Sequence, residues 1–336
     1  MKLVTFIHQN TTQIGFVVNH KVFSFHSFDS NFPNTMLEFI QQGESAMNKA
    51  REYEQKAFAG EKESEALDYE NTCLLAPLPN PTSCRDGYAF RQHVAAARRN
   101  RKVDMIKEFD EYPIFYFTNH NAVQGPGDVL CMPDHFQKLD FELEAAIVIG
   151  KHGRNIKAEN ADDYIFGYTI MNDMSARTLQ MEEMLLNLGP AKGKDFSTVI
   201  GPMIVTPDEL MPFKKSPKPN HVGNSFNLEM KCWVNGVEVS SGNMGDMDWT
   251  FAEIIERCAY GVNIFPGEVI GSGTVGTGCF LELNGTGLLH NPDFKPQWLQ
   301  ENDVVKMEIT GLGRLVNKIV KEDSDFSILA NKKIVS

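Results

Sequence analysis

The sequence predicts an α+β fold that is predominantly β, with a small mixed N-terminal domain. Three observations predict it. Short β-rich runs open the chain, a stretch rich in Ala, Glu, Lys and Gln follows, and from about residue 141 onward most segments are β-branched and punctuated by glycine.

The opening runs are Leu3 to His8, Ile14 to Val18 and Val22 to Phe25, with Asn19-His20 as a turn between the last two. From Thr35 to about Leu67, apolar residues at Leu37, Phe39 and Ile40 keep helical spacing and predict one or two helices. Pro77, Pro79 and Pro81 then end any helix and mark a linker. The expected division is a small α+β domain over 1–72 and a larger domain over 73–336. In the larger part, strands are expected at 141–150, 164–173, 228–242, 268–283 and 303–320, with Asn235-Gly236 as a hairpin turn. Two helices are expected, from Ser175 to about Leu188 and from Thr250 to about Ala259.

Composition narrows the function. The 336 residues suffice for one large domain or two unequal ones, and 42% hydrophobic with 23% charged residues excludes a disordered chain. The 32 Lys and Arg against 44 Asp and Glu leave a net charge of −12, which repels phosphates and anionic lipid. Neither a nucleic acid nor a membrane is an expected partner. No run of 18 apolar residues exists, and the opening MKLVTFIHQNTTQIGFVV is broken by polar residues from His8 to Gln13. The six cysteines form no CxxC pair, so free thiols in a reducing compartment are expected. A cytoplasmic location follows as the expectation.

Several motifs could carry chemistry. In FELEAAIVIG, Glu142 and Glu144 share one face of a strand that becomes apolar on both sides. They are either a solvated edge or a repelling pair that needs a cation or an arginine beside it. Asp173 ends the next strand and is either a helix N-cap or the first of a row with Arg177, Gln180 and Met184 at helical spacing. Asp86 precedes His93 by about two helical turns if that segment is helical, with Tyr88 between them. An imidazole near carboxylates is a general-base candidate. Lys192 and Lys194 lie in a Gly/Pro loop that lacks the P-loop spacing, and GSGTVG leads into CFLEL, read as a strand, so no dinucleotide site is expected. Glu282 in that run is either outward-facing or a buried carboxylate that orients a base.

Together DGYAFRQH, FELEAAIVIG, YTIMNDMSARTLQ, GPAKGKDF, PGEVIGSGT and CFLEL, in that order from about Pro77 to Val320, resemble the fumarylacetoacetate hydrolase family. The resemblance implies a mixed β-roll catalytic domain that is usually dimeric and holds a divalent cation. It implies Asp86, Glu142, Glu144 and Asp173 as metal ligands, an all-oxygen set suited to Mg²⁺, Mn²⁺ or Ca²⁺ rather than zinc. It further implies His93 as general base with Glu282 as its orienting partner. Arg177, Gln180 and Lys194 fall at oxyanion-stabilising positions, and Tyr88, Tyr116 and Thr274 at substrate-contacting ones. The chain departs from the fumarylacetoacetase-like branch in three ways. Met184 or a neighbour stands where that branch has a second tyrosine, an extra residue precedes GPAKGK, and the N-terminal segment is shorter.

The implied activity is metal-dependent hydrolysis of a carbon–carbon bond in a β-diketo acid, foremost fumarylacetoacetate to fumarate and acetoacetate in aromatic amino-acid catabolism. Acylpyruvate or fumarylpyruvate hydrolysis, or a decarboxylase or isomerase reaction of the same family, is the alternative. A non-catalytic, metal-stabilised binding module is the alternative of another class. A small diketo-acid substrate and a second copy of the chain are the expected partners.

Overall fold

The computed structural model describes residues 1–333. Strands β1 (Lys2–His8), β2 (Thr11–Val18) and β3 (Lys21–Ser24) form an antiparallel meander with Phe16 opposite both Leu3 and Phe23. Helix α1 (Met36–Gln41) starts at a capping box in which Thr35 and Glu38 each satisfy the other's amide. Helix α2 (Glu44–Phe58) turns Ala46, Ala50, Tyr53 and Ala57 inward at the spacing of one helical face.

After the proline run come β4 (Ser83–Gly87), α3 (Arg91–Asn100), β5 (Phe115–Thr118) and β6 (Gly127–Cys131). The central strands are β7 (Leu143–Ile149) and β8 (Ile165–Asp173), followed by α4 (Arg177–Met184) and β9 (Thr198–Val205). A hairpin of β10 (Glu229–Val234) and β11 (Val237–Asn243) turns at Asn235-Gly236, both with positive φ. Helix α5 (Phe251–Ala259), strand β12 (Glu268–Gly271), helix α6 (Phe280–His290) and strands β13 (Val304–Ile309) and β14 (Gly313–Lys321) complete the chain.

A twelve-stranded sheet runs in the order β3-β2-β1-β9-β8-β7-β12-β4-β5 among its longer strands, so the N-terminal meander extends the same sheet through Lys2 opposite Val205. A five-stranded sheet, β11-β10-β13-β14-β6, lies against it. Alternation along β7 explains the packing. Ala145, Ile147 and Ile149 join the core shared with the five-stranded sheet, while Ala146 and Val148 join the core shared with α1 and α2. A strand covered on both faces has to be apolar throughout, as the run AAIVIG is.

The structure corrects three expectations near the site. Residues 268–283 are not one strand: β12 stops at Gly271, a glycine-rich turn follows, and CFLEL opens α6. Asp86 and His93 do not share a helix, since Asp86 is on β4 and His93 on α3. Asp173 does not belong to the helical row, because α4 begins only at Arg177, with Ala176 as its N-cap.

Candidate active site

Register brings the acids together. Gly271 of β12 pairs with Asp86 of the parallel neighbour β4, and Glu144 of β7 pairs with Met171 of β8, two residues before Asp173. Glu142 lies just before β7, its amide donating to Asn172 Oδ1 at 3.0 Å. One carboxylate oxygen from each of Asp86, Glu142, Glu144 and Asp173 lies within 4.8 Å of every other, and all four residues are buried. Gly271 makes the gathering possible. A Cβ there would lie 2.4 Å from Asp86 Oδ1 and 3.0 Å from Glu144 Oε2.

Two cations approach this cluster from one side. Lys194 bonds Glu142 and reaches Asp173 Oδ2 at 2.7 Å, and Arg177 bonds Glu142 Oε1 at 2.8 Å. They hold Glu142 down to about 2 against the upward push of its burial. The far side has no such compensation. Burial and the Asp173 charge push Asp86 up to about 7, and burial with Asp86 drives Glu144 well above the usual carboxylate range. Among the described residues, Glu144 Oε2 and Asp173 Oδ1 have no hydrogen-bond partner. Oxygen donors in excess of nearby positive charge, two of them orphaned, fit a hard divalent cation, and the cluster could hold one.

The imidazole sits beside the acids. His93 Nδ1 is 2.6 Å from Glu282 Oε2, and both side chains are buried. Glu282 is fixed in turn by the Thr277 amide, which donates to Oε1 at 3.0 Å. In the tautomer that donates Nδ1–H to Glu282, Nε2 is the free base. A ring nitrogen of His93 and a carboxylate oxygen of Glu142 come within 4.8 Å. The dyad and the acid cluster therefore share one space.

That space is a cavity of about 790 Å³, and ten of the twelve residues singled out in the sequence line it. Glu144 and Asp173 are the two that lie beneath its lining. Tyr88 sets its ring edge-on to His93 with centroids 6.0 Å apart. Tyr116 donates its hydroxyl to Asp173 Oδ2 at 2.5 Å, Thr274 donates to Glu144 Oε1 at 3.3 Å, and Gln180 Oε1 accepts from Arg177 at 2.9 Å. Glu282 is no strand residue: it stands in the first turn of α6, after Cys279 as N-cap.

Asp140 was not singled out in the sequence, although it sits two residues before Glu142. Fully buried, it accepts from Arg177 Nε at 2.9 Å and from the amides of Phe280 and Leu281 at 2.7 and 2.9 Å. It caps the helix that carries Glu282 and holds the arginine that faces Glu142. Its signal was the buried-strand context of LDFELE, where an acid needs several donors to be tolerated.

The chain is similar to known proteins over most of its length. Residues 82–320 match the family model described as fumarylacetoacetate (FAA) hydrolase C-terminal. The human mitochondrial protein named oxaloacetate tautomerase FAHD2A is 32% identical over 307 residues, covering 89% of this chain and 84% of that protein. A Dictyostelium discoideum homologue of fumarylacetoacetate hydrolase domain-containing protein 2 is 28% identical, covering 95% of this chain and 97% of its own. The fold is shared with a fumarylacetoacetate hydrolase from Exiguobacterium antarcticum (TM-score 0.69, 24% identity, 96% of this chain and all of that one). It is also shared with a maleylpyruvate hydrolase from Sphingobium sp. SYK-6 in complex with manganese(II) and pyruvate (TM-score 0.68, 19% identity, the same coverage). Matched over most of its length by the family model and by relatives of this kind, the chain belongs to the fumarylacetoacetate hydrolase family.

Proposed function

We propose that this chain is a divalent-cation-dependent hydrolase that cleaves a carbon–carbon bond in β-diketo acids, the class that contains acylpyruvates and fumarylacetoacetate. The observation that carries the reading is the buried His93–Glu282 pair facing the carboxylate cluster across one cavity. Asp86, Glu142, Glu144 and Asp173 would hold a hard cation, which when bound would supply Lewis-acid polarisation of the enolised diketone.

The residues of the chain do the rest. His93 Nε2 takes a proton from water, Glu282 stabilises the imidazolium through Nδ1, and the hydroxide adds to the acyl carbonyl. Lys194 has three N–H donors and spends two on Glu142 and Asp173, leaving one for the oxyanion. Arg177 keeps one N–H free after binding Asp140, Glu142 and Gln180. One such donor is worth about 3 kcal/mol of barrier. When the carbon–carbon bond breaks, its electron pair stays on the departing enolate, and the proton stored on His93 returns to that carbon. Water and an acylpyruvate then give a carboxylic acid and pyruvate, in balance.

A second reading is keto–enol tautomerisation of a 2-oxo dicarboxylate. It is favoured by the name of the human relative, an oxaloacetate tautomerase, and it uses the same base to move a proton without attack by water. The deciding assay follows the ultraviolet absorbance of acylpyruvates and of fumarylacetoacetate, with both acid products quantified, beside the decay of enol-oxaloacetate. Chelator-sensitive release of equimolar acids supports the hydrolase. Accelerated enol decay with no acid release from any diketo acid supports the tautomerase.

A further inference from the structure

We propose that the cavity holds the distal end of its substrate in an apolar subsite built by the last turns of α4 and α6, so that the preferred acid carries an extended apolar acyl group there rather than a second carboxylate. The inference rests on the diketo-acid reading above and narrows it.

Both helices change character along the cavity. Helix α4 lines it with Arg177 and Gln180 near its start and with Met181 and Met184 near its end. Helix α6 lines it with Leu281 and Glu282 in its first turn, Asn284 and Gly285 in the middle and Leu288 in its last turn. Arg177 and Glu282 stand at the carboxylate cluster and the dyad, and at the helical rise Met184 lies about 10 Å along the axis from Arg177 and Leu288 about 9 Å from Glu282. Met181, Met184 and Leu288 are 45%, 46% and 44% exposed, so apolar surface that faces an active-site cavity is left in water. An apolar acyl chain would remove that surface from solvent at both partners, and methionine adapts its shape to whatever covers it.

Size points the same way. A cavity of about 790 Å³ is far larger than a four-carbon dicarboxylate fills. A carboxylate placed against the two thioethers would be desolvated without a partner. Cations do line the cavity at Lys138 and Arg101, both exposed, with Arg101 Nε already donating to the Ala97 carbonyl at 3.1 Å. They define the competing outcome.

The test measures KM for acylpyruvates from acetyl to hexanoyl, for fumarylpyruvate and for oxaloacetate with the Mg²⁺-loaded full chain. In parallel, calorimetry measures Kd for 2-oxo acids of matching length, which lack the scissile diketone. Both constants are expected to fall about two- to fourfold per added methylene. Met184→Lys flattens the series, and Met184→Leu retains it. A flat series overturns the subsite. So does tighter binding of a dicarboxylic acid than of an apolar acid of equal length, with that advantage lost in Lys138→Ala. A chain-length series in Kd without cleavage of any acid upholds the subsite and removes the hydrolase reading, whereas cleavage with a flat series does the reverse.

Discussion

Arg177 donates Nε to Asp140 Oδ2 at 2.9 Å in a pair that is buried on both sides, and the same carboxylate accepts the amides that open α6. One acid thus fixes an arginine of the site and the helix of the base's partner. Asp140→Asn keeps the shape, removes the charge and turns an N–H donor toward other donors. Breaking a buried pair of this kind costs about 3–5 kcal/mol. Urea unfolding of the variant is expected to show a loss on that scale, with kcat falling more than KM rises. Unchanged stability would contradict the assigned role.

His93 bonds Glu282 and takes no part in the four-acid cluster. His93→Ala is therefore expected to lower kcat by about 10²–10⁴-fold while calorimetric binding of Mn²⁺ stays as in the wild type. Retained turnover would remove His93 as the base, and lost metal binding would make it a ligand instead.

Gly271→Ala tests the space around the carboxylates. The added methyl would meet Asp86 Oδ1 at 2.4 Å and Met171 Sδ at 2.7 Å. Since Asp86 has to move, cation affinity is expected to drop at least about tenfold, a loss of roughly 1.4 kcal/mol. Far-ultraviolet circular dichroism is expected to stay close to that of the wild type. Wild-type affinity in this variant would show that Asp86 does not bind the ion.

His135 supplies a pH test away from the site. Burial, with Lys192 nearby, lowers its pKa from 6.5 to about 4, and its Nδ1 accepts the Met132 amide at 3.1 Å. The unfolded chain consequently binds more protons than the folded one between about pH 6.5 and 4. The stability that His135 contributes is full above that window and is lost as pH falls through it, to a total of roughly 3 kcal/mol. Urea midpoints at pH 7 and pH 4.5 are expected to differ more in the wild type than in His135→Gln. Equal differences would show that the ring is protonated in the folded state.

Much of the site was legible because its residues sit in motifs whose order carries the family resemblance. Glu142 and Glu144 lead into a strand apolar on both faces, which left a solvated edge and a compensated pair equally open, and the resemblance chose the second. The position of Glu282 was hidden, because a short apolar run such as CFLEL fits a strand or a buried helix equally well. Contacts distant in sequence decide it, as Asp140 binds the amides of Phe280 and Leu281. The row of Asp173, Arg177 and Gln180 was half legible. Arg177 and Gln180 do share the helix, but Asp173 reaches the same space along β8, since Ser175 and Ala176 pair with Leu139 and Asp140 before the helix begins. Pairing across the sheet, which periodicity does not encode, does that work.

The account depends on Asp86, Glu142, Glu144 and Asp173 acting as one ion site. Electron paramagnetic resonance titration with Mn²⁺ tests this most directly. One tight ion per chain is expected in the wild type, and none in the double variant Asp86→Asn, Glu144→Gln. Undiminished binding in that variant, or no tight binding in the wild type, would contradict it.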